Sequence, residues 1–414
     1  GAGSGRGLTD GDNNIFMGNS TGACTTTGLA NVMIGNYAGQ CHVSGSENVY
    51  ISHCAGRCMC NGSANIAIGQ HALQGGSTVS NNTGSCNIAI GMGAACVVTA
   101  SCHNVALGTG AGKLIGTGCC NIFIGCDAGR GTGTAASNNG CSNIIMGPGA
   151  AEDLQTGGNN LVFGRLAGKS ITTGCSNIMM QQMAGYYNAT GDDNILIGQA
   201  AGSDIGTGNS NVFIGKSAGK GSGTAADNSA CRNVIIGEDA GEDLTDGCYN
   251  AIMGYSAGKE LTTGNYNVAF GFRTMGTPAA ALTGQKNVAL GYDSGTKLTS
   301  GECNVFLGSD SGANITTGDH NVMIGHFAGK YATTPSDSVL IGRAAGKKIS
   351  GSENIFIGQD AGEGTGTTSN NIAKRNVAVG YKAAAYLSTG CFNSILGTDA
   401  AQQLTTGCYN SIFG

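Results

Sequence analysis

The phrase NVFIGKSAG, at Asn211 to Gly219, returns from one end of this chain to the other, most often at an interval of 17 residues. Reduced to a pattern it reads Asn, aliphatic, two apolar residues, Gly, two variable positions and Ala-Gly, commonly followed by an aliphatic residue and Thr-Thr-Gly. With the Asn as position 0, copies begin at Asn14, Asn31, Asn48, Asn65 and so on to Asn410, with Ser338 standing in once, 23 copies in all. Insertions follow the copies at Asn65, Asn121, Asn211 and Asn354. Self-similarity at such a period marks a repeat architecture, in which each unit buries its apolar face only against its neighbours.

Position +3 is apolar in every copy, +1 is aliphatic except at Ser394 and Ser411, and +4 is Gly except at Ser52 and Gln181. Short Val/Ile/Phe runs bounded by Gly are strand signals, and no window carries an apolar stripe of helical period. The expected fold is all-β: a parallel β-solenoid of about 23 coils with a 17-residue repeat. Residues 1–13 form a Gly-rich lead-in and 14–414 a single continuous repeat domain. Gly at +4 and +8 marks corners, and Ala at +7 is a small inward residue. At about 4.8 Å per coil the stack would reach roughly 110 Å. Its Asn residues form a column able to hydrogen-bond as an amide ladder.

The composition of 75 Gly, three Pro, no Trp and 11% charged residues fits a repetitive fibrous chain. The apolar residues keep strict register, which excludes a disordered segment, and Gly keeps no period of three, which excludes collagen. A net charge of −5 gives no reason to expect nucleic acid. No apolar run is long enough for a membrane span. Eighteen cysteines favour an extracellular or cell- or virion-surface location over a reducing cytosol. The sequence begins at Gly1 without Met and reads as a processed product or the ordered part of something longer. Neither end supplies an obvious cap, which favours end-to-end assembly.

Position +2 is apolar in all 23 copies. If +1 and +3 close the coil, strand alternation turns +2 outward. Phe16, Met33, Phe123, Ile145, Phe213, Ile235, Phe306 and Phe356 then belong to an outward apolar face, too long for a soluble monomer to leave bare. Burial between copies of the same chain is the simplest cover, with a trimer favoured. Phe213→Asp is accordingly expected to disrupt association and leave the coil able to form.

The phrases NIAIG at 65 to 69 and 87 to 91 and NVALG at 287 to 291 resemble the head repeats of YadA-like trimeric autotransporter adhesins and the runs of phage tail-fibre proteins. The resemblance implies a left-handed parallel β-roll that trimerises along its length. It covers nearly the whole chain, with a longer repeat and many more cysteines here.

Register places Cys24 and Cys41 at +10, and Cys102 with Cys119, Cys231 with Cys248, and Cys391 with Cys408 at −2, as candidate inter-coil disulfides. Cys175 has no stacked partner. The stacks Cys86/His103/Cys120, Cys303/His320 and Cys54/His71 suggest a metal, but a ladder is linear where zinc wants a tetrahedron. No metal, cofactor or catalytic residue is assigned. The acidic pairs at 152–153, 238–239 and 242–243 sit on separate corners without the partners an enzyme needs. Asn19, Asn61, Asn81, Asn188 and Asn314 open N-glycosylation sequons. The functional expectation is a non-enzymatic, homo-oligomeric solenoid subunit of an extracellular or surface fibre. The alternative is an adhesin whose corner loops bind a receptor or glycan; a solenoid carbohydrate-active enzyme and an ice-binding threonine ladder rank lower.

Overall fold

The structure is a computed structural model and describes residues 1–222, 228–276, 281–366 and 370–414. It comprises two compact units, Gly1–Ser210 and Asn211–Gly414. The first unit carries three-residue strands from β1 (Ile15–Met17) to β11 (Ile195–Ile197), and the second from β12 (Val212–Ile214) to β23 (Ser411–Phe413), one strand per repeat. Within each unit a strand pairs in parallel with that of the next copy, position on position. Ile15 meets Val32 and Phe16 meets Met33; Val212 meets Val234 and Phe213 meets Ile235. The repeat therefore forms a parallel β-solenoid coil, as its spacing predicts.

Insertions loop out without shifting this register, since Ile66 pairs with Ile88 and Ile122 with Ile144. The first two each contain a short 3-10 turn, Val79–Asn81 and Ala135–Ser137. The two later insertions, 220–232 and 363–375, include residues 223–227 and 367–369, which lie outside the described residues.

After each strand the chain rounds the coil through successive turns. In one copy Ala38 donates to Gly35 O at 3.3 Å, Gln40 to Tyr37 O at 3.2 Å and His42 to Gly39 O at 3.0 Å. Positive φ at Gly35 (132°), Tyr37 (60°) and Gly39 (55°) sets these turns. The +4 glycine answers a close approach as well: a methyl on Gly35 would stand 2.5 Å from the carbonyl oxygen of Ser52 in the next coil. The +4 and +8 glycines thus sit at corners, and the +7 alanines are buried, Ala38 and Ala218 completely.

The coil interior is lined by positions 0, +2, +7 and +11. This reverses the expected faces of the strand. Met33, Phe123, Ile145, Phe213, Ile235, Phe306 and Phe356 are all core residues, and Phe16 in the first coil is half-buried, so the +2 row is not an oligomer face. The physical reason is the Asn at position 0. Its amide is buried, and side chains two apart in a strand share a face, so +2 points inward with it while +1 and +3 point out. Phe213→Asp would therefore strike the core of the coil, not an association surface.

The Asn column is a continuous ladder within each unit. Asn48 Nδ2 donates to Asn31 Oδ1 at 2.9 Å and to Gly62 O at 2.9 Å, and Asn31 Oδ1 also receives the Asn48 backbone N–H at 3.0 Å. The arrangement recurs down to Asn410 on Asn393. Ser338 keeps the chain going at its substituted rung, receiving the Asn354 N–H at 3.3 Å.

Candidate functional site

Outward-facing +1 and +3 side chains make two parallel apolar rows on each unit. They are incompletely covered: Met17 is 59% exposed, Met253 45% and Leu396 51%, with Ile90, Ile214 and Phe270 also exposed. The apolar surface inferred from the sequence is therefore real but lies on the odd positions of the strand, one residue to either side of the one expected.

Along another edge, position −2 forms a second ladder that the repeat pattern had not announced. Where −2 carries a short acceptor, its side chain commonly takes the backbone N–H of the −2 residue one coil earlier, whereas Leu29, Gly158 and Lys374 at −2 offer no acceptor. Ser46 does so for Leu29 at 3.1 Å, Ser63 for Ser46 at 3.1 Å and Asp319 for Glu302 at 2.8 Å. Cysteine sulfur fills the same role: Cys119 accepts from Cys102 at 3.1 Å, Cys141 from Cys119 at 3.2 Å and Cys175 from Gly158 at 3.4 Å. The signal in the sequence is that −2 holds mainly Ser, Asp, Asn or Cys, all short acceptors.

Stacking brings the −2 cysteines together. Cys231 and Cys248 form a disulfide across Cα atoms 4.7 Å apart. The Sγ atoms of Cys102 and Cys119 lie 2.9 Å apart, and those of Cys391 and Cys408 2.6 Å apart, both as thiols. At +10, Cys24 and Cys41 remain separate thiols. Burial, with Cys58 and Cys24 alongside, pushes the Cys41 thiol up to about 11. Cys175 is a thiol as well, held within the −2 ladder.

Other columns are taken up by contacts between coils. Glu152 pairs with Arg130 at 2.9 Å, Glu238 with Lys216 at 3.0 Å and Glu242 with Lys259 at 2.9 Å, so these acids do not converge on a cleft. Thr26 and Thr172 at +12 donate their hydroxyls to the next coil's Val43 O and Ala189 O, at 3.2 and 3.0 Å. Tyr249 stacks on Tyr266, and Tyr255, Phe272 and Tyr292 stack in series, with centroids 5.0 to 5.3 Å apart. Among the described residues no group of three His, Cys, Asp or Glu side chains is placed to hold a metal.

Of the sequon residues, Asn19, Asn61 and Asn81 are exposed and Asn314 is half-buried. Asn188 is not a glycan acceptor in the folded chain. It occupies +11, where neighbouring coils carry Ile171 and Ile205, is fully buried, and accepts the Gly191 N–H at 2.9 Å. No helix among the described residues is long and apolar enough to cross a membrane.

The chain matches no protein-family model, no curated protein and no solved structure.

Proposed function

We propose that the chain is a structural subunit of an extracellular or surface fibre, in which copies associate side by side through the +1 and +3 rows. The observation that carries this reading is the persistence of the two rows: an apolar pair left half-buried or exposed recurs on coil after coil in both units, giving way to Ser at +1 in the last two coils. Apolar surface of that extent is normally covered. A second copy supplies the same spacing between rows and the same rise per coil, so contacts made at one coil repeat at the next. Closed association, with a trimer as the preferred form, buries the rows of every subunit around one axis. The Cys231–Cys248 disulfide, with two more thiol pairs in position to close, supports an oxidising location.

The test is the mass of the native chain in solution and of the variant carrying Ile214→Lys, Met253→Lys and Phe270→Lys. Native chain should run as an oligomer and the variant as a folded monomer. A monomeric native chain at micromolar concentration, or a variant of unchanged mass, would overturn the proposal.

A further inference from the structure

Between the first two insertions the surface is hollowed out. At +6 most coils carry a side chain, but two successive coils carry Gly93 and Gly110. Nothing lies within 4 Å of where a Cβ of Gly93 would stand. The gap is a cavity of about 350 Å³ lined by His71, Gln74, Met92, Cys96, Lys113 and Asp127. Two further hollows adjoin it. One of about 440 Å³ shares Gln74 and Cys96 and runs under Gly75 and Gly76 of the first insertion. The other, of about 290 Å³, shares Lys113 and runs under Gly131 and Gly133 of the second. The three hollows, linked through these shared residues, follow one another between the two loops and are treated together as a trough.

We propose that this trough binds a carboxylated sugar chain, with one hexuronate residue seated in the central notch. Its wall combines the donor and acceptor types that hydroxyl-rich ligands require: a carboxylate, an amide, an imidazole and an ammonium group. Met92, 56% exposed, offers an apolar patch for the C–H face of a pyranose. A methyl on Gly110 would strike the Asp127 carboxylate, so that group lies over the glycine gap, placed to accept sugar hydroxyls. His71 Nδ1 is buried and has no hydrogen-bond partner. The acidic character of the ligand follows from Lys113. Its neighbour along the +9 column, Arg130, is already paired with Glu152 at 2.9 Å, whereas no ion pair among the described residues takes Lys113. Its ammonium is left to meet a ligand carboxylate. Volume and mixed lining match those of small-molecule sites.

Titration calorimetry on the full chain, with a galacturonate trisaccharide and a galactose trisaccharide as probes, tests the assignment. The galacturonate should bind saturably and the galactose about tenfold more weakly or not at all, a difference worth one charge-assisted contact. Lys113→Gln should bring the two probes level. Gly93→Phe should abolish binding by filling the notch while the chain stays folded, because +6 already holds Tyr37 at φ 60° and Phe327 at φ 65°. Unchanged circular dichroism verifies that. Absence of galacturonate binding at millimolar concentration, equal affinity for both probes, or binding that survives Gly93→Phe would each overturn the proposal.

Discussion

His42 shows how much one side chain can depart from its repeat and still fit. It occupies +11, where other coils place Ile205 or Leu244, and is fully buried. Its ring nitrogens meet two carbonyls, Met59 O at 2.9 Å and Gly45 O at 2.8 Å. Those carbonyls favour the protonated ring, but burial opposes it more strongly and holds the pKa below the ordinary histidine value. The sign follows directly. Below the ordinary value the unfolded chain takes up a proton that the folded coil refuses, so His42 subtracts stability as pH falls through about 6.5, by at most about 1.4 kcal/mol per pH unit. The native chain should therefore lose more in unfolding temperature between pH 7.5 and 5.5 than His42→Leu does. Equal losses would show that His42 is not the titrating group.

A coil is held together by a trade between two of its own positions. Where +2 is large, +8 is Gly except at Ala151 and Ala401, which follow Ile145 and Ile395, and a methyl on the glycine would meet an aromatic +2 ring: Gly56 would stand 2.6 Å from Tyr50 and Gly219 2.5 Å from Phe213. Where +2 shrinks to Ala67, Ala89, Ala269 or Ala378, position +8 grows to Leu73, Ala95, Met275 or Ala384. Ala106 and Ala289 keep Gly at +8 because the next coil's ring fills the space: methyls on Gly112 and Gly295 would stand 2.7 Å from Phe123 and 2.8 Å from Phe306. Phe213→Ala alone should cost about 3–5 kcal/mol in denaturant unfolding, and Gly219→Leu alone should be harmful too. The double variant, which copies Ala67 with Leu73, should recover part of the loss; additive losses would contradict the trade. Strand position, parallel register, the Asn column and the small +7 residue were legible because each repeats with the same period. The inward face was not, because three consecutive apolar letters satisfy either choice of alternation; only the burial of Asn decides it. The +2/+8 trade, the −2 acceptors and the burial of Asn188 were present in the register, but only when one column is read against another.

At the scale of the molecule, what each coil offers its neighbours matters more than what it contains. Loops, charged pairs and aromatic stacks differ from coil to coil, and the proposed trough belongs to one short section of the first unit. Beneath that variation a ladder Asn gives its backbone N–H and one side-chain N–H to the rung before it and presents its side-chain oxygen to the rung after it, as Asn177 does on Asn160 at 3.0 and 3.1 Å. Upper and lower faces are thus interchangeable parts. Removing residues 161–177 should bring Ile178 onto Ile144 with the ladder intact, and the shortened chain should keep its strand signal and a cooperative unfolding transition. Collapse to an unfolded chain would show that coils are individually fitted. If they are not, repeat number becomes a heritable dial: recombination between copies could lengthen or shorten this protein in steps of about 4.8 Å without any new fold having to be found.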